Sequence, residues 1–392
     1  MPETVAREPG PCLRGPGGRP LRVVHLTTID ASLAILLGTE LEYDVESGAE
    51  TFGLSAPGPY VDRLEALGVR HLALPSLSRR WSPRLDAAAA CELYAALRQI
   101  RPDVLHTHNP KTGVLGRVVA RVARVPVVVN TCHGLWATPE DRLRKRVAVY
   151  AAEVIAAAFS DAELYQNTAD NTTLARWVRQ SKCQVVGNGT DLQRFRPDPA
   201  ARQVVRAELG LSDDDLLVGA VGRMVTEKGV AEFVAVAEAL RDRATFVWVG
   251  PADPDKPDAV AAAGDAVRFL GERTDMESIH NALDVFVLPS YREGFSRSAM
   301  EAAACGRAMV LSDIRGCREV GSHEQELLLC PRGNSDALES AVARLLGDEQ
   351  LRNRLGRAAR ARAMSEFDQR RVAATSMRTY QEAAHRRGLG WS

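Results

Sequence analysis

Short apolar runs, separated by longer amphipathic stretches, govern what this chain can fold into. Residues 21–27, 104–107, 125–130, 162–165 and 184–186 are apolar runs of strand length, and 84–99 and 113–123 between them carry apolar residues at helical spacing. Strands without polar alternation are buried on both faces, and strands of that kind joined by helices form a parallel sheet covered on either side. The pattern then begins again. Residues 216–221, 245–249, 267–270, 285–288, 309–311 and 327–329 form a second set, with helical stretches at 231–240 and 335–346. Between the sets, 191–215 holds Pro197, Pro199 and the acidic triplet Asp213, Asp214 and Asp215, and reads as a linker ending in a solvated turn. The expected fold class is α/β: two Rossmann-like, doubly wound domains facing a central cleft at the carboxyl ends of their strands, where such sheets bind ligands. The expected division is a disordered leader at 1–20, a first domain at 21–195, a second at 196–367, and a tail at 368–392 whose helix packs back on the first domain.

The length of 392 residues suits two domains at roughly 100–200 residues each. Fifty basic residues balance fifty acidic ones, which argues against a nucleic-acid partner, for which a basic excess is expected. The seven cysteines (Cys12, Cys91, Cys132, Cys183, Cys305, Cys317 and Cys330) are odd in number and contain no C-x-x-C, so neither a disulfide framework nor a zinc pattern is expected. Thiols of this kind fit a reducing, cytoplasmic setting. Residues 1–20 have no apolar core after a basic start, so they read as a leader rather than a signal peptide. No apolar run reaches the ~20 residues of a membrane span, and the nearest, 147–159, contains Glu153. Arg142, Arg144, Lys145 and Arg146 precede that run. A helix starting this way could lie peripherally on an anionic membrane surface; the plainer reading is a solvated helix start.

Two segments carry chemistry. The first is Gly222-Arg223-Met224-Val225-Thr226-Glu227-Lys228-Gly229, which follows the strand at 216–221. Gly222 is expected to let the backbone turn. Arg223 and Lys228 suit a diphosphate, the one as a bidentate fork and the other as a point charge. The loop is neither a Walker loop nor G-x-G-x-x-G, and alone it reads equally well as a solvated turn. The second segment runs from Pro289 to Gly306 and includes Glu293, Gly294, Phe295, Ser296, Arg297 and Glu301. Ser296 is an expected N-cap, with a helix to about Ala304 and Gly306 just beyond it. The backbone N–H groups of Phe295 to Ser298 would make an anion site at the helix start. Glu301 could reach a ribose diol, and Glu293 the hydroxyls of a sugar. Glu301 sits in an otherwise apolar stretch, where a charge requires a partner.

Glu293 and Glu301, with seven residues between them, resemble the E-x7-E signature of the retaining glycosyltransferases of family 4, the GT-B group related to glycogen synthase. The first segment is similar to that family's G-R-x-x-x-E-K-G. Ser312 to Val320 resembles a loop of a bacterial branch that builds polysaccharides and lipid-linked oligosaccharides with N-acetylhexosamine donors. The resemblance covers most of 21–385. It implies a retaining glycosyltransferase moving a sugar, an N-acetylhexosamine or hexose, from a UDP-sugar to a hydroxyl of a lipid-linked saccharide or small natural-product acceptor. No cofactor and no metal are expected. Arg223 and Lys228 would bind the diphosphate, Glu301 the ribose, and Glu293 would position the sugar. Arg273, in the segment 270–273, would lie near the base.

The first domain would then serve the acceptor. The resemblance aligns His133 with a histidine that touches the transferred sugar; on position alone a structural histidine at a strand end is the favoured reading. His106 and His108 show no carboxylate or cysteine partner in the sequence, so a structural or acceptor-lining role is expected. Lys111 could meet an acceptor phosphate. The first strand runs into Thr27-Thr28-Ile29-Asp30-Ala31-Ser32 where many relatives carry two glycines, and this assigns Asp30 to the acceptor. No carboxylate nucleophile is evident other than Glu293, which points to front-face attack with the leaving diphosphate taking the acceptor proton. Two other readings use the same architecture: an isomerase like the UDP-N-acetylhexosamine 2-epimerases, and a non-catalytic nucleotide-sugar sensor.

Overall fold

The computed structural model describes residues 13–253, 258–261 and 264–391. The chain forms two compact units, residues 1–186 with 369–392, and residues 187–368. The first holds a parallel sheet of β1 (Arg22–Ile29), β2 (Glu50–Ala56), β3 (Arg70–Ala73), β4 (Val104–His108), β5 (Val127–Cys132), β6 (Ala162–Tyr165) and β7 (Cys183–Val185), in the order β3-β2-β1-β4-β5-β6-β7. The second holds β8 (Leu217–Val221), β9 (Thr245–Val249), β10 (Val267–Phe269), β11 (Val285–Leu288), β12 (Ala308–Ser312) and β13 (Leu328–Cys330), in the order β10-β9-β8-β11-β12-β13. In each sheet the order reverses beside the first strand, at β1/β4 and at β8/β11. Loops leaving the carboxyl ends of those neighbours border the switch point, where this architecture takes its ligands.

Strands β4, β6, β11 and β12 are buried along their whole length between two helical layers; β11 is wholly apolar, whereas β4 and β6 also bury His106, Thr107, His108 and Glu163. The two sheet faces of the second unit bury separate clusters, one around Phe286, Met300 and Phe367, the other around Phe233, Trp248 and Leu345. Strands β2 and β3 lie outside the sequence reading. Polar Thr51 and Ser55 interrupt the apolar run of β2, and β3 is short and half-exposed.

The expected leader ends too late. Residues 1–12, Cys12 among them, lie outside the described part, but Leu13 is buried in the first unit's core and Arg19 forks onto Asp103 with both distances at 2.7 Å. The expected boundary is also displaced. The units part between Val186 and Gly187, because 191–215 packs as part of the second unit. Phe195 joins its core, and the helix Pro199–Glu208, capped by Asp198, buries Arg206 against Asp284. Pro199 therefore starts a helix, as a proline at the first helical position does. The turn at Asp213–Asp215 is exposed, with Asp215 accepting from Ser212. The last helix, Gln369–Arg386, packs in the first unit on the helix Gly38–Glu46, where Ala373, Met377, Tyr380 and Ala384 enter a core cluster.

Candidate active site

In the second unit both motif segments leave adjacent strands at the switch point. Strands β8 and β11 pair with Val285 opposite Val218. The loop after β8 and the loop after β11 are joined at three places. Tyr291 N–H donates to the Glu227 carbonyl at 2.8 Å, Lys228 Nζ donates to Glu293 Oε1 at 2.6 Å, and Arg292 lies 3.6 Å from the Glu227 carboxylate. Gly229 makes this closeness feasible. Its φ is +75°, and a Cβ there would stand 2.2 Å from the Pro289 carbonyl oxygen. Gly222, expected to supply the turn, takes no positive φ; the backbone requirement falls at the other end of the loop.

The helix Arg297–Ala304 starts as expected, with Ser296 Oγ accepting from Ala299 N–H. Its first N–H groups have no acceptor within the helix, which makes its start receptive to an anion. Phe295 is turned the other way, into the core edge-on to Phe367 with 5.6 Å between ring centres, so it offers a ligand only its backbone. The short helix Arg315–Arg318, inside the Ser312–Val320 loop, lies against the motif. A Cβ on Gly316 would come within 2.6 Å of the Glu293 carbonyl and 2.8 Å of that of Gly294.

The charged partner of Glu301 in its apolar surroundings is Arg297, and a buried histidine lies close by. Glu301 Oε2 lies 3.4 Å from Nε2 of His280, a fully buried histidine whose ring nitrogens make no hydrogen bond, and Glu301 Oε1 lies 3.7 Å from Arg297 Nε. Sequence reasoning missed His280, which lies a strand away in the chain and has no motif around it. Arg223 does not join Lys228: its guanidinium pairs with Asp253 at 2.6 Å. Arg273 is not gathered either. Glu208 and Asp275 hold it through four N–H···O bonds, which turns it away from the role expected beside a base.

In the first unit the two residues assigned to the acceptor face inward. Asp30 is buried, and its carboxylate accepts from Ala31 N–H at 2.8 Å and Tyr60 N–H at 2.7 Å, which ties the loop after β1 to the next one. Lys111 is buried too, donating to the carbonyls of Ser78 at 2.9 Å and Arg80 at 2.7 Å and pairing with Asp86. Both side chains satisfy local backbone, and neither assignment is supported by this geometry.

The histidines, by contrast, come together. His25 on β1 stands opposite His106 on β4. His25 Nε2 meets Asp44 Oδ2 at 2.8 Å, His25 Nδ1 meets His108 Nε2 at 3.1 Å, and His108 Nδ1 meets His133 Nε2 at 3.0 Å. His106 bonds Tyr380 Oη and Thr131 Oγ1, both at 2.7 Å, with Glu40 at 3.4 Å. The expectation that His106 lacks a carboxylate is corrected, since the helix Gly38–Glu46 brings Glu40 to it, while Asp44 of the same helix reaches His25 and the His108 ring nitrogens meet those of other histidines. The cluster of His25, Glu40, His106 and His108 places one polar atom from each within 4.8 Å of the others. Burial pushes the His133 imidazole down to about 4, so the ring is neutral near pH 7.

Comparison with known proteins agrees with this architecture. Residues 21–189 match the family described as glycosyl transferase 4-like domain, and residues 215–348 match glycosyl transferases group 1. An Escherichia coli UDP-Gal:alpha-D-GlcNAc-diphosphoundecaprenol alpha-1,3-galactosyltransferase is 29% identical over 306 residues, covering 75% of this chain and 79% of its own. A D-inositol 3-phosphate glycosyltransferase of Xylanimonas cellulosilytica is 30% identical over 308 residues, covering 73% of each. Among solved structures, HepE of Anabaena in complex with UDP-glucose superposes with a TM-score of 0.78 at 20% identity, covering 92% of this chain and 100% of that one. Sucrose-phosphate synthase of Thermosynechococcus elongatus gives 0.80 at 22% identity, covering 93% and 100%. The chain belongs to the glycosyltransferases of the GT-B fold, with a 4-like domain followed by a group 1 domain.

Proposed function

We propose that the protein is a retaining, metal-independent glycosyltransferase that moves a hexosyl or N-acetylhexosaminyl group from a UDP-sugar to a hydroxyl of a lipid-linked saccharide. The observation carrying this reading is the locked pair of loops at β8 and β11, which sets Lys228 beside Glu293 next to a capped helix N-terminus. A cation and a helix start are what a diphosphate leaving group needs. Glu301, held near His280, is proposed to bind the ribose diol. Glu293 is proposed to hydrogen-bond the sugar, and His133 to contact it from the first unit. Arg223 would have to leave Asp253 to reach phosphate. A lipid-linked acceptor is favoured over a small natural product by the names of two relatives, the Escherichia coli enzyme and an N,N'-diacetylbacillosaminyl-diphospho-undecaprenol alpha-1,3-N-acetylgalactosaminyltransferase of Campylobacter jejuni that is 27% identical. UDP as the nucleotide is favoured by the ligand of the Anabaena structure.

The test is incubation with a panel of UDP-sugars, with and without polyprenyl-diphosphate saccharides. Transfer is expected only with the acceptor present, giving an anomeric proton coupling that matches the donor's. Epimer formation without acceptor would support the isomerase reading, and binding without turnover the sensor reading; either overturns this one.

A peripheral membrane position belongs to the same proposal. Among the described residues no helix is long and apolar enough to cross a membrane. On the helix Leu143–Ala157, however, Leu143, Val147, Ala151 and Ile155 follow at four-residue spacing and are all exposed, Leu143 at 68%. The basic Arg142, Arg144, Lys145 and Arg146 lie at its start. An apolar stripe with cations at one end suits the surface of an anionic bilayer. Co-sedimentation with vesicles containing phosphatidylglycerol is expected, and replacing Leu143, Val147 and Ile155 by serine should weaken it at least tenfold. Equal sedimentation of the two proteins removes the membrane assignment.

A further inference from the structure

His133 is the residue of the first unit proposed to meet the sugar, and burial keeps its ring neutral near pH 7, so what it offers depends on its tautomer. The groups beneath His133 are arranged to set that tautomer. Asp44, His25, His108 and His133 form an unbranched row of side-chain contacts of 2.8, 3.1 and 3.0 Å that crosses from the helix Gly38–Glu46 through β1 and β4 to the end of β5. Asp44, His25 and His108 are all buried. His25 and His108 use both ring nitrogens within the row, and His133 uses only Nε2; the Gln166 side chain also bonds His133, and an amide can accept or donate, so it is compatible with either tautomer. We propose that this row is a tautomer relay, in which Asp44, His25 and His108 are positioning residues that decide whether Nδ1 of His133 offers the transferred sugar a hydrogen or a lone pair. The inference rests on the glycosyltransferase reading only for the identity of what His133 meets.

The chemistry of the row allows two states. In the first, the Asp44–His25 pair carries no extra proton. His25 Nε2–H then donates to the carboxylate, His108 Nε2–H to His25 Nδ1, and His133 Nε2–H to His108 Nδ1. His133 is left with a bare Nδ1. In the second, the pair holds one more proton, on either the carboxylate or the ring. His25 Nδ1–H must now donate to His108 Nε2, and His108 Nδ1–H to His133 Nε2, so that the hydrogen of His133 sits on Nδ1. One proton at the Asp44 end reverses three rings and changes His133 from acceptor to donor, while His133 itself stays neutral.

The surroundings place the proton at that end. Burial disfavours charge on His25, but the hydrogen bond and charge of Asp44, with the charge of Glu40, together outweigh this and raise it, while burial raises the Asp44 carboxyl. Burial holds His108 well below the ordinary histidine value, and His106 and His133 add to this. The other titratable groups facing the row are Glu40 on the helix Gly38–Glu46, His106 on β4 and Tyr380 on the last helix, with Gln166 bonded to His133. Glu40 is held down at about 2: burial opposes this, but His106 prevails. Its negative charge therefore favours a proton on the row. Because the His25 value is raised, the donor state is populated below it and lost as pH rises through it.

The experiment uses the full chain with 15N-labelled histidine. Imidazole 15N shifts of the unmodified protein are followed from acid to alkaline pH, with rings assigned from single histidine variants. A single coupled step is expected, in which His133 passes from the Nδ1–H to the Nε2–H form at the midpoint read on His25. Asp44→Asn should remove that step and lower kcat at least tenfold with little change in KM, and Asp44→Glu should restore part of both. Independent titration of the rings, a His133 tautomer that ignores Asp44→Asn, or stoichiometric metal on the purified protein overturns the relay. Absence of turnover with every nucleotide sugar would instead remove the functional reading and leave the spectroscopic result standing.

Discussion

Replacing Lys228 by alanine is expected to lower kcat/KM by about 10²–10³-fold, with most of the loss in kcat. Negative charge grows on the leaving phosphate as the glycosidic bond breaks. A cation fixed before that moment stabilises the transition state without having to reorganise then. Lys228 is fixed in this way. Its loop is bonded to the next through Tyr291 N–H and the Glu227 carbonyl, and Gly229 allows contact with Pro289. Its ammonium lies 2.6 Å from Glu293 in a half-buried position. Donor affinity should fall less than turnover, because the helix start at Ser296 remains. The unfolding midpoint should fall by a few degrees, since the loss of the ammonium leaves the half-buried Glu293 carboxylate without this cation. The measurement is initial rate against donor concentration, alongside the thermal midpoint. Near-normal turnover in a folded variant would sink the diphosphate assignment.

The second unit was readable because its site is local. A buried strand, a loop with two cations, a second strand, a capped helix and two carboxylates at fixed spacing each occupy a continuous stretch, and the helix bounds follow from Ser296 and Gly306. What escaped was whatever depends on a distant partner. His280 reaches Glu301 across the fold, Asp253 takes Arg223, and Glu208 takes Arg273. Nothing in the stretch around Arg223 distinguishes a cation waiting for phosphate from one already paired; at Arg273 the neighbouring Asp275 was visible, but Glu208, which completes the grip, was not.

The first unit was harder for the same reason, enlarged. Asp30 and Lys111 look free in sequence, yet Asp30 accepts from the backbone of Ala31 and Tyr60, and Lys111 is held by the carbonyls of Ser78 and Arg80 and by the Asp86 carboxylate. The histidine row draws one member from each of four elements, so no window of sequence contains it. The expected linker failed because Pro197 and Pro199 mark a turn or a helix start equally well, and only the packing of Phe195 and Arg206 decides between them.

Arg117→Leu should cost the first unit about 3–5 kcal/mol near pH 7, because it strands two buried carboxylates. The guanidinium is fully buried on the helix Pro110–Val122. It donates to Glu153 at 2.5 Å, to Glu163 at 2.8 Å and to the Gly113 carbonyl at 2.7 Å. Glu163 also accepts from Asn130 and Ser160, so it is held in place whether or not the arginine is there. An arginine between two carboxylates leaves one net negative charge in the interior, and a leucine of similar bulk leaves two. The pH dependence identifies the cause. Burial already raises the Glu153 carboxyl in spite of Arg117, and losing the cation raises it further above its unfolded value. The folded variant then binds protons more tightly than the unfolded chain does. Its deficit is smallest below the unfolded carboxyl value of about 4.3 and grows as pH rises through the folded one. Urea unfolding at pH 5 and pH 8 should therefore show the larger loss at pH 8, and adding Glu153→Gln should recover part of it. A deficit that is equal at the two pH values would mean that the arginine acts by packing and not by charge.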